Sequence, residues 1–310
     1  MNMKLDYKLN EIHLATGVTQ SELSAMDDCI MKWNLGYNNL VVRKGRWNWA
    51  FVVGSALHDF FEKFYRGEGD ANMISIEAPG EDVLIDSKFE EQRDYWLGVI
   101  GAMQRAYARK YADDLTLFEP EIVEEVVTRE YRGMKFTGKL DLAARGPNGM
   151  FIMDHKTTSN VTALTEDGWD FRLQFQFYPW LLEHLKPTKF TINAIKKPLL
   201  RQTKTETRAG FVNRVAKDIT TRPEEYFKRD SMPINQAKIR HFQDTILDPK
   251  ISRFEIARKH PEILLNRNTN TCIKYGSSCE FLPICRNGWE LEQFQYEKRE
   301  NKHEELQPTQ

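Results

Sequence analysis

Residues 137–156 constrain the fold of this chain more than any other stretch. Segments 135–144 and 150–156 alternate as strands, and Arg145-Gly-Pro-Asn-Gly149 between them is a strong turn signal, so a β-hairpin is expected. With Pro147 and Asn148 at the centre of the turn, Asp141 lies opposite Asp154. With Asn148 and Gly149 at the centre, it lies opposite Lys156. Both registers have the same parity, so Asp141, Asp154 and Lys156 share one face, with Cβ atoms within roughly 5–8 Å of each other. His155 points to the other face. Two adjacent carboxylates repel unless something cationic sits between them. Lys156 offers one charge; a divalent ion offers two, and hard oxygen ligands suit Mg²⁺ or Mn²⁺. The bland alternative is a solvated charge cluster. The apolar run at 150–153 weighs against it, because charges ending a central strand are costly unless they are used.

The elements around the hairpin set a fold class. Thr19-x-x-Glu22 fits a capping box for a helix running to about residue 35 and carrying Cys29. A helix over 54–65 places Leu57, Phe60, Phe61 and Phe64 on one apolar face. Residues 86–111 read as a longer helix, 121–131 as a strand, 169–185 as a helix, 189–195 as a strand, and 209–264 as mostly helical. From about residue 290 a polar tail follows. Helices, then a meander of strands, then helices again indicate an α/β domain with a helical insertion at about 66–115. On the 169–185 helix Gln174 and Tyr178 face the same way, one turn apart. His58 lies on the 54–65 helix, where a lone histidine is most often structural.

Charge does not exclude a polyanionic partner. In 310 residues Lys and Arg total 44 against 45 Asp and Glu, a net charge of −1, which rules out a polybasic coat but not a local basic groove. Between 196 and 229 ten basic residues face four acidic ones, and Lys196, Lys197 and Arg201 are candidates for phosphate contact. Arg43-Lys-Gly-Arg-Trp-Asn-Trp49 interleaves basic and aromatic residues, and its Arg43, Lys44, Arg46 and Trp47 suit a single strand. Either stretch could equally be a solvated face. No secretory leader and no membrane-length apolar run is evident, so a cytoplasmic, membrane-free protein with reduced thiols is expected. No GxxxxGK[ST] loop is present, so any helicase or recombination partner is a separate protein.

The 4 cysteines are too few for a disulfide scaffold. Cys272, Cys279 and Cys285 form a C-x6-C-x5-C cluster in a loop-like segment, with Cys29 far upstream. Unrelated core thiols and zinc are both open readings, although zinc knuckles usually use C-x2-C pairs.

In order, His58 in Gly54-Ser-Ala-Leu-His-Asp-Phe-Phe, Asp141 after Thr137-Gly-Lys-Leu, Asp154-His-Lys156 and Gln174-x-x-x-Tyr178 resemble the RecB-like branch of the PD-(D/E)XK nucleases. That branch includes AddB-type and CRISPR-associated exonucleases and phage relatives. The resemblance implies a restriction-endonuclease-like α/β core, a mixed central sheet flanked by helices, in one nuclease domain over 1–290. It implies a metal-dependent DNA exonuclease of repair or recombination, acting on single strands or duplex ends. His58, Asp141, Asp154 and the main-chain carbonyl of His155 would hold Mg²⁺ or Mn²⁺. Lys156 would align or activate the attacking water, and Gln174 and Tyr178 would position Lys156 and the strand. Iron–sulfur members place one cysteine before the core and three after it. Cys29, Cys272, Cys279 and Cys285 would then hold a 4Fe–4S cluster, with 265–290 closing onto the helix of Cys29. The first cysteine gap here is longer than the C-x2-C of the best-known members. The alternatives are a non-catalytic DNA-end-binding or scaffolding protein on the same fold, and a zinc-stapled nuclease acting on RNA.

Overall fold

The computed structural model describes residues 5, 7–45, 48–68, 89–164, 168–274, 276–303 and 306. Arg46 and Trp47, residues 86–88 of the expected long helix and much of the helical insertion lie outside them.

The centre is a mixed five-stranded sheet flanked by helices. Strands β1 (Glu119–Tyr131), β2 (Met134–Gly146) and β3 (Gly149–Thr158) form an antiparallel meander. β4 (Lys189–Lys196) runs parallel to β3, and β5 (Phe227–Pro233) closes the far edge antiparallel to β4. The hairpin takes the first of the two expected registers, from Gly146 opposite Gly149 to Leu142 opposite Met153.

Helices cover both faces, which keeps the central strands apolar. Phe136, Leu140, Ile152, Phe190 and Ile192 pack under α1 (Gln20–Asp28), α4 (Leu173–Leu181), α6 (Gln236–Phe242) and α7 (Asp248–Lys259). Leu142, Ala144, Phe151, Met153 and Phe227 pack under α2 (Trp49–Tyr65), α3 (Phe89–Lys110) and α5 (Arg208–Thr221). Leu57, Phe60, Phe61 and Phe64 form the buried stripe of α2. That helix starts earlier than 54, because Asn48 caps it by accepting from the Ala50 N–H.

Three expectations need correction. The helix begun at Thr19 does not run through Cys29. It breaks there in extended backbone and resumes as Ile30–Trp33 followed by a π-turn. Thr19 does cap α1, but the Glu22 carboxylate is turned into the interior, where it accepts from Trp33 Nε1 at 3.0 Å. Residues 227–233 are a strand inside the region expected to be helical.

The third correction concerns the end of the chain. Tyr296–Lys298 pairs with Val41–Arg43 as a small ribbon. Beyond it Lys302 is buried, 2.8 Å from Glu22 and donating to the His13 and Gly17 carbonyls, with His303 beside it. This part of the expected polar tail is a clasp. No helix among the described residues is long and apolar enough to cross a membrane.

Candidate active site

The site forms where the β1–β2 ladder is interrupted. Glu125 pairs with Leu140 and Val123 with Leu142, while Glu124 and Asp141 between them drop out of the pairing. Glu124 has φ +52°, a left-handed conformation in mid-strand that a glutamate adopts only when its surroundings compel it. The same irregularity sends Leu140 and Leu142 to opposite faces of the sheet. Side chains from both faces can therefore converge at one place.

His58 of α2 lies with Nδ1 2.7 Å from Glu124 Oε1 and 3.7 Å from Asp141 Oδ1. Ligand atoms of His58, Glu124 and Asp141 all lie within 4.8 Å of one another. The second Asp141 oxygen accepts from the His155 N–H at 2.6 Å, just beyond the last β2–β3 pair, Leu142 opposite Met153. Asp154 is buried. Its Oδ1 accepts from Gln174 Nε2 at 2.7 Å and from Lys156 Nζ at 3.2 Å. Its Oδ2 is 3.0 Å from the same ammonium but receives no aligned hydrogen bond. The Tyr178 hydroxyl donates to the Lys139 carbonyl at 2.8 Å. This contact explains Gly138, since a Cβ there would stand 2.8 Å from the Tyr178 ring.

The His155 side chain faces away, as the alternation required. It stacks on Phe61 and Tyr65, with centroids 4.1 and 5.7 Å away, and Nδ1 meets Asn193. Burial and the nearby cations keep it neutral.

The electrostatics are those of a cation site. Burial opposes charge on His58, but Asp141 and Glu124 outweigh it and push its pKa up to about 9. Burial lifts Asp141 to about 7, helped by Asp154 and Glu124 against His58 and Lys156. Burial also opposes charge on Glu124, yet bonds from His58 and Lys139 hold it below the ordinary glutamate range. Lys156 stays protonated, because Asp154 and Asp141 overcome its burial. A hard divalent ion fits this donor set, which offers carboxylate oxygens, an imidazole and an oxygen lacking a donor.

Glu124 is the residue sequence reasoning missed. Glu121, Glu124 and Glu125 look alike in a charged strand, and only the break in pairing at Glu124 separates them.

His58, Glu124, Asp141, Lys139 and Tyr178 border a cleft of about 540 Å³ that Thr19, Phe51 and Leu306 also line. Lys196 pairs with Thr158 and the Lys197 N–H donates to its carbonyl, so both stand near Lys156 at the same end of the sheet. Arg201 lies on the exposed loop beyond, and its carbonyl takes a bond from Arg214. Among the ten basic residues over 196–229, Arg214 pairs with Glu206 and Arg222 with Asp218 inside the stretch, and Arg229 with Asp114 outside it. Arg43 and Lys44 belong to the ribbon near Gln295, and neither lines the cleft.

Cys29, Cys279 and Cys285 pack against Met31, Leu35, Phe281 and Ile284 in a separate small cluster. The Cys279 N–H donates to the Cys272 carbonyl, and the Asn268 N–H to Cys29 Sγ at 3.4 Å. Burial raises the Cys285 thiol pKa, and the sulfurs of Cys29, Cys279 and Cys272 add to this against Arg267. All four are free thiols, and they do not form a group with sulfurs within 4.8 Å of one another.

A model of the PD-(D/E)XK nuclease superfamily matches residues 17–286. Among solved structures the chain is similar to SSO0001, at 13% identity over 74% of this chain and 95% of that one, with a TM-score of 0.30. It is also similar to a phage related exonuclease from Haemophilus somnus 129PT, at 15% identity over 68% of this chain and 81% of that one, with a TM-score of 0.30. No curated protein matches the sequence.

Proposed function

The chain belongs to the PD-(D/E)XK nuclease superfamily, and from that premise we propose that it is a DNA exonuclease dependent on Mg²⁺ or Mn²⁺. The observation that carries this is the convergence of His58, Glu124 and Asp141 on one cleft, with the Asp154–Lys156 pair close behind Asp141. A scaffold that only gripped DNA ends would have no use for a half-buried aspartate raised in pKa beside a buried one with an oxygen lacking a donor.

In this reading His58, Glu124, Asp141, Asp154 and the His155 main-chain carbonyl hold the ion. When bound, such an ion polarises the phosphoryl oxygen and lowers the pKa of water. The protein's own groups do the rest. Lys156, kept cationic, meets the charge that builds on the phosphate and orients the attacking water. Gln174 fixes the Asp154 carboxylate, and Tyr178 fixes the strand through Lys139. Lys196 and Lys197 extend phosphate contact along the sheet end.

Labelled linear and covalently closed circular DNA, incubated with Mg²⁺ or Mn²⁺, test the proposal. Linear DNA is expected to shorten while circles persist. Nicked or linearised circles would replace the exonuclease with an endonuclease, and loss of RNA alone would replace the substrate.

We also propose that Cys29, Cys272, Cys279 and Cys285 hold a 4Fe–4S cluster as a staple between the N-terminal helix and the segment before the clasp. Their shared neighbourhood supports it. The C-x6-C-x5-C pattern favours a cluster over zinc, whose knuckles usually use C-x2-C pairs. Anaerobically purified protein is expected to be brown, with about four irons per chain. A colourless, zinc-loaded protein would overturn the cluster and leave the nuclease proposal standing.

The presumed helicase or recombination partner remains part of this reading, with no motor of its own evident in the chain.

A further inference from the structure

Among the described residues that line the cleft, one large apolar side chain stands largely exposed. Phe51 of α2 is 73% exposed, although the other phenylalanines of that helix, Phe60, Phe61 and Phe64, are buried. Single exposed apolar residues are ordinary, so its position is what matters. Phe51, Gly54, Ser55 and His58 fall on one helical stripe, and all four line the catalytic cleft. Seven residues at the helical rise put Phe51 about 10 Å from His58 along the axis. The floor between them is low. A Cβ on Gly54 would meet only Thr157 Oγ1, at 3.7 Å. Thr19, Gln20 and Ser21 form another bank of the cleft, polar and without charge. Of the aromatic candidates from sequence, Trp47 lies outside the described residues and Trp49 packs against Phe89 at 5.4 Å.

We propose that Phe51 is a stacking platform for an unpaired nucleobase of the strand whose phosphate lies at Asp141 and Asp154, so that the cleft accepts DNA as a single strand. This rests on the nuclease reading and adds the substrate's strandedness to it. An exposed ring flanked by polar side chains suits any base, because every base has a π face. A base within a duplex has both faces covered by its neighbours and cannot stack there.

The test uses the full chain with Phe51→Ala, Phe51→Tyr and Phe51→Trp. At 73% exposure, none of these changes removes core packing. On a labelled single-stranded oligonucleotide Phe51→Ala is expected to raise KM about tenfold or more, with the loss on KM rather than kcat, and Phe51→Tyr to restore it. Oligonucleotides made abasic one position at a time should include one on which wild type and Phe51→Ala converge. A Phe51→Ala enzyme with wild-type KM, or one equally impaired on every abasic substrate, overturns the platform. With Ca²⁺ to prevent turnover, Phe51→Trp should show oligonucleotide-dependent quenching beyond that of wild type. Its absence overturns the platform even in an active enzyme. Quenching in a protein that cleaves no nucleic acid overturns the nuclease reading alone.

Discussion

Asp154→Ala is expected to lower kcat/KM on linear DNA by about three orders of magnitude, a loss of some 4 kcal/mol of transition-state stabilisation. Asp154 is asked to do two things at once: present an oxygen to the ion and anchor the Lys156 ammonium. Lys156→Ala should fall nearly as far, and the double variant little further, because the two act as a unit. Gln174→Ala removes only the bond that orients Asp154, so a ten- to hundredfold loss, about the usual cost of an outer partner, is expected. Wild-type rates from Asp154→Ala in protein that melts normally would sink the assigned chemistry. The pH profile belongs to the same experiment. With His58 raised to about 9 and Asp141 to about 7, the metal-free site holds protons at neutral pH that a bound ion must displace. Metal affinity should therefore tighten as pH rises through 7 towards 9. Calorimetry with Mn²⁺ at pH 7, in buffers of different ionisation heat, should detect proton release.

The second large effect is on stability. Lys302→Met leaves the Glu22 carboxylate fully buried with its main cation gone. Breaking a buried pair from one side costs about 3–5 kcal/mol, here a drop in Tm of about 6–10 °C. Glu22→Leu combined with Lys302→Met should recover much of this, since two apolar groups leave no stranded charge. Thermal melts decide it: a single variant within about 1 °C of wild type would mean that the clasp is slack. The pH direction follows from Glu22. Burial opposes its charge, but Lys302 and His303 hold its pKa below the usual 4.5. Its contribution is therefore complete above about pH 4.5 and is lost as pH falls through the lower folded value.

What could be read beforehand was what short-range rules determine. The parity of a hairpin places Asp141, Asp154 and Lys156 together and His155 apart whichever turn is used, and the observed register is one of the two. Helical periodicity gives the buried stripe of α2. What escaped depends on partners distant in sequence. Glu124 acquires its role from an interruption shared by two strands and from a helix residue 66 positions away. β5 was hidden because Lys228-Arg229-Asp230 does not look like a strand. Its arginine becomes affordable only beside Asp114, Tyr65 and Tyr107, which three other segments contribute. Cys29 breaks a helix that propensity would have continued, and the Asn268 N–H bonds its sulfur from the far end of the chain. Lys302 and His303 resemble any other charged tail until Glu22 is placed beneath them.

The clasp also sets an order of events. Lys302 donates to the Gly17 carbonyl across 285 residues of sequence, and Gly17–Ser21 leads directly into the bank of the cleft formed by Thr19, Gln20 and Ser21. That bank is joined to the sheet by Val18, whose N–H donates to the Lys135 carbonyl and whose carbonyl accepts from the Thr137 N–H, so the sheet alone can set it in place. A chain interrupted after the sheet is made carries every carboxylate of the metal site but leaves Glu22 without its buried cation. The last buried charge is therefore answered late, once the polypeptide has closed back on its own beginning.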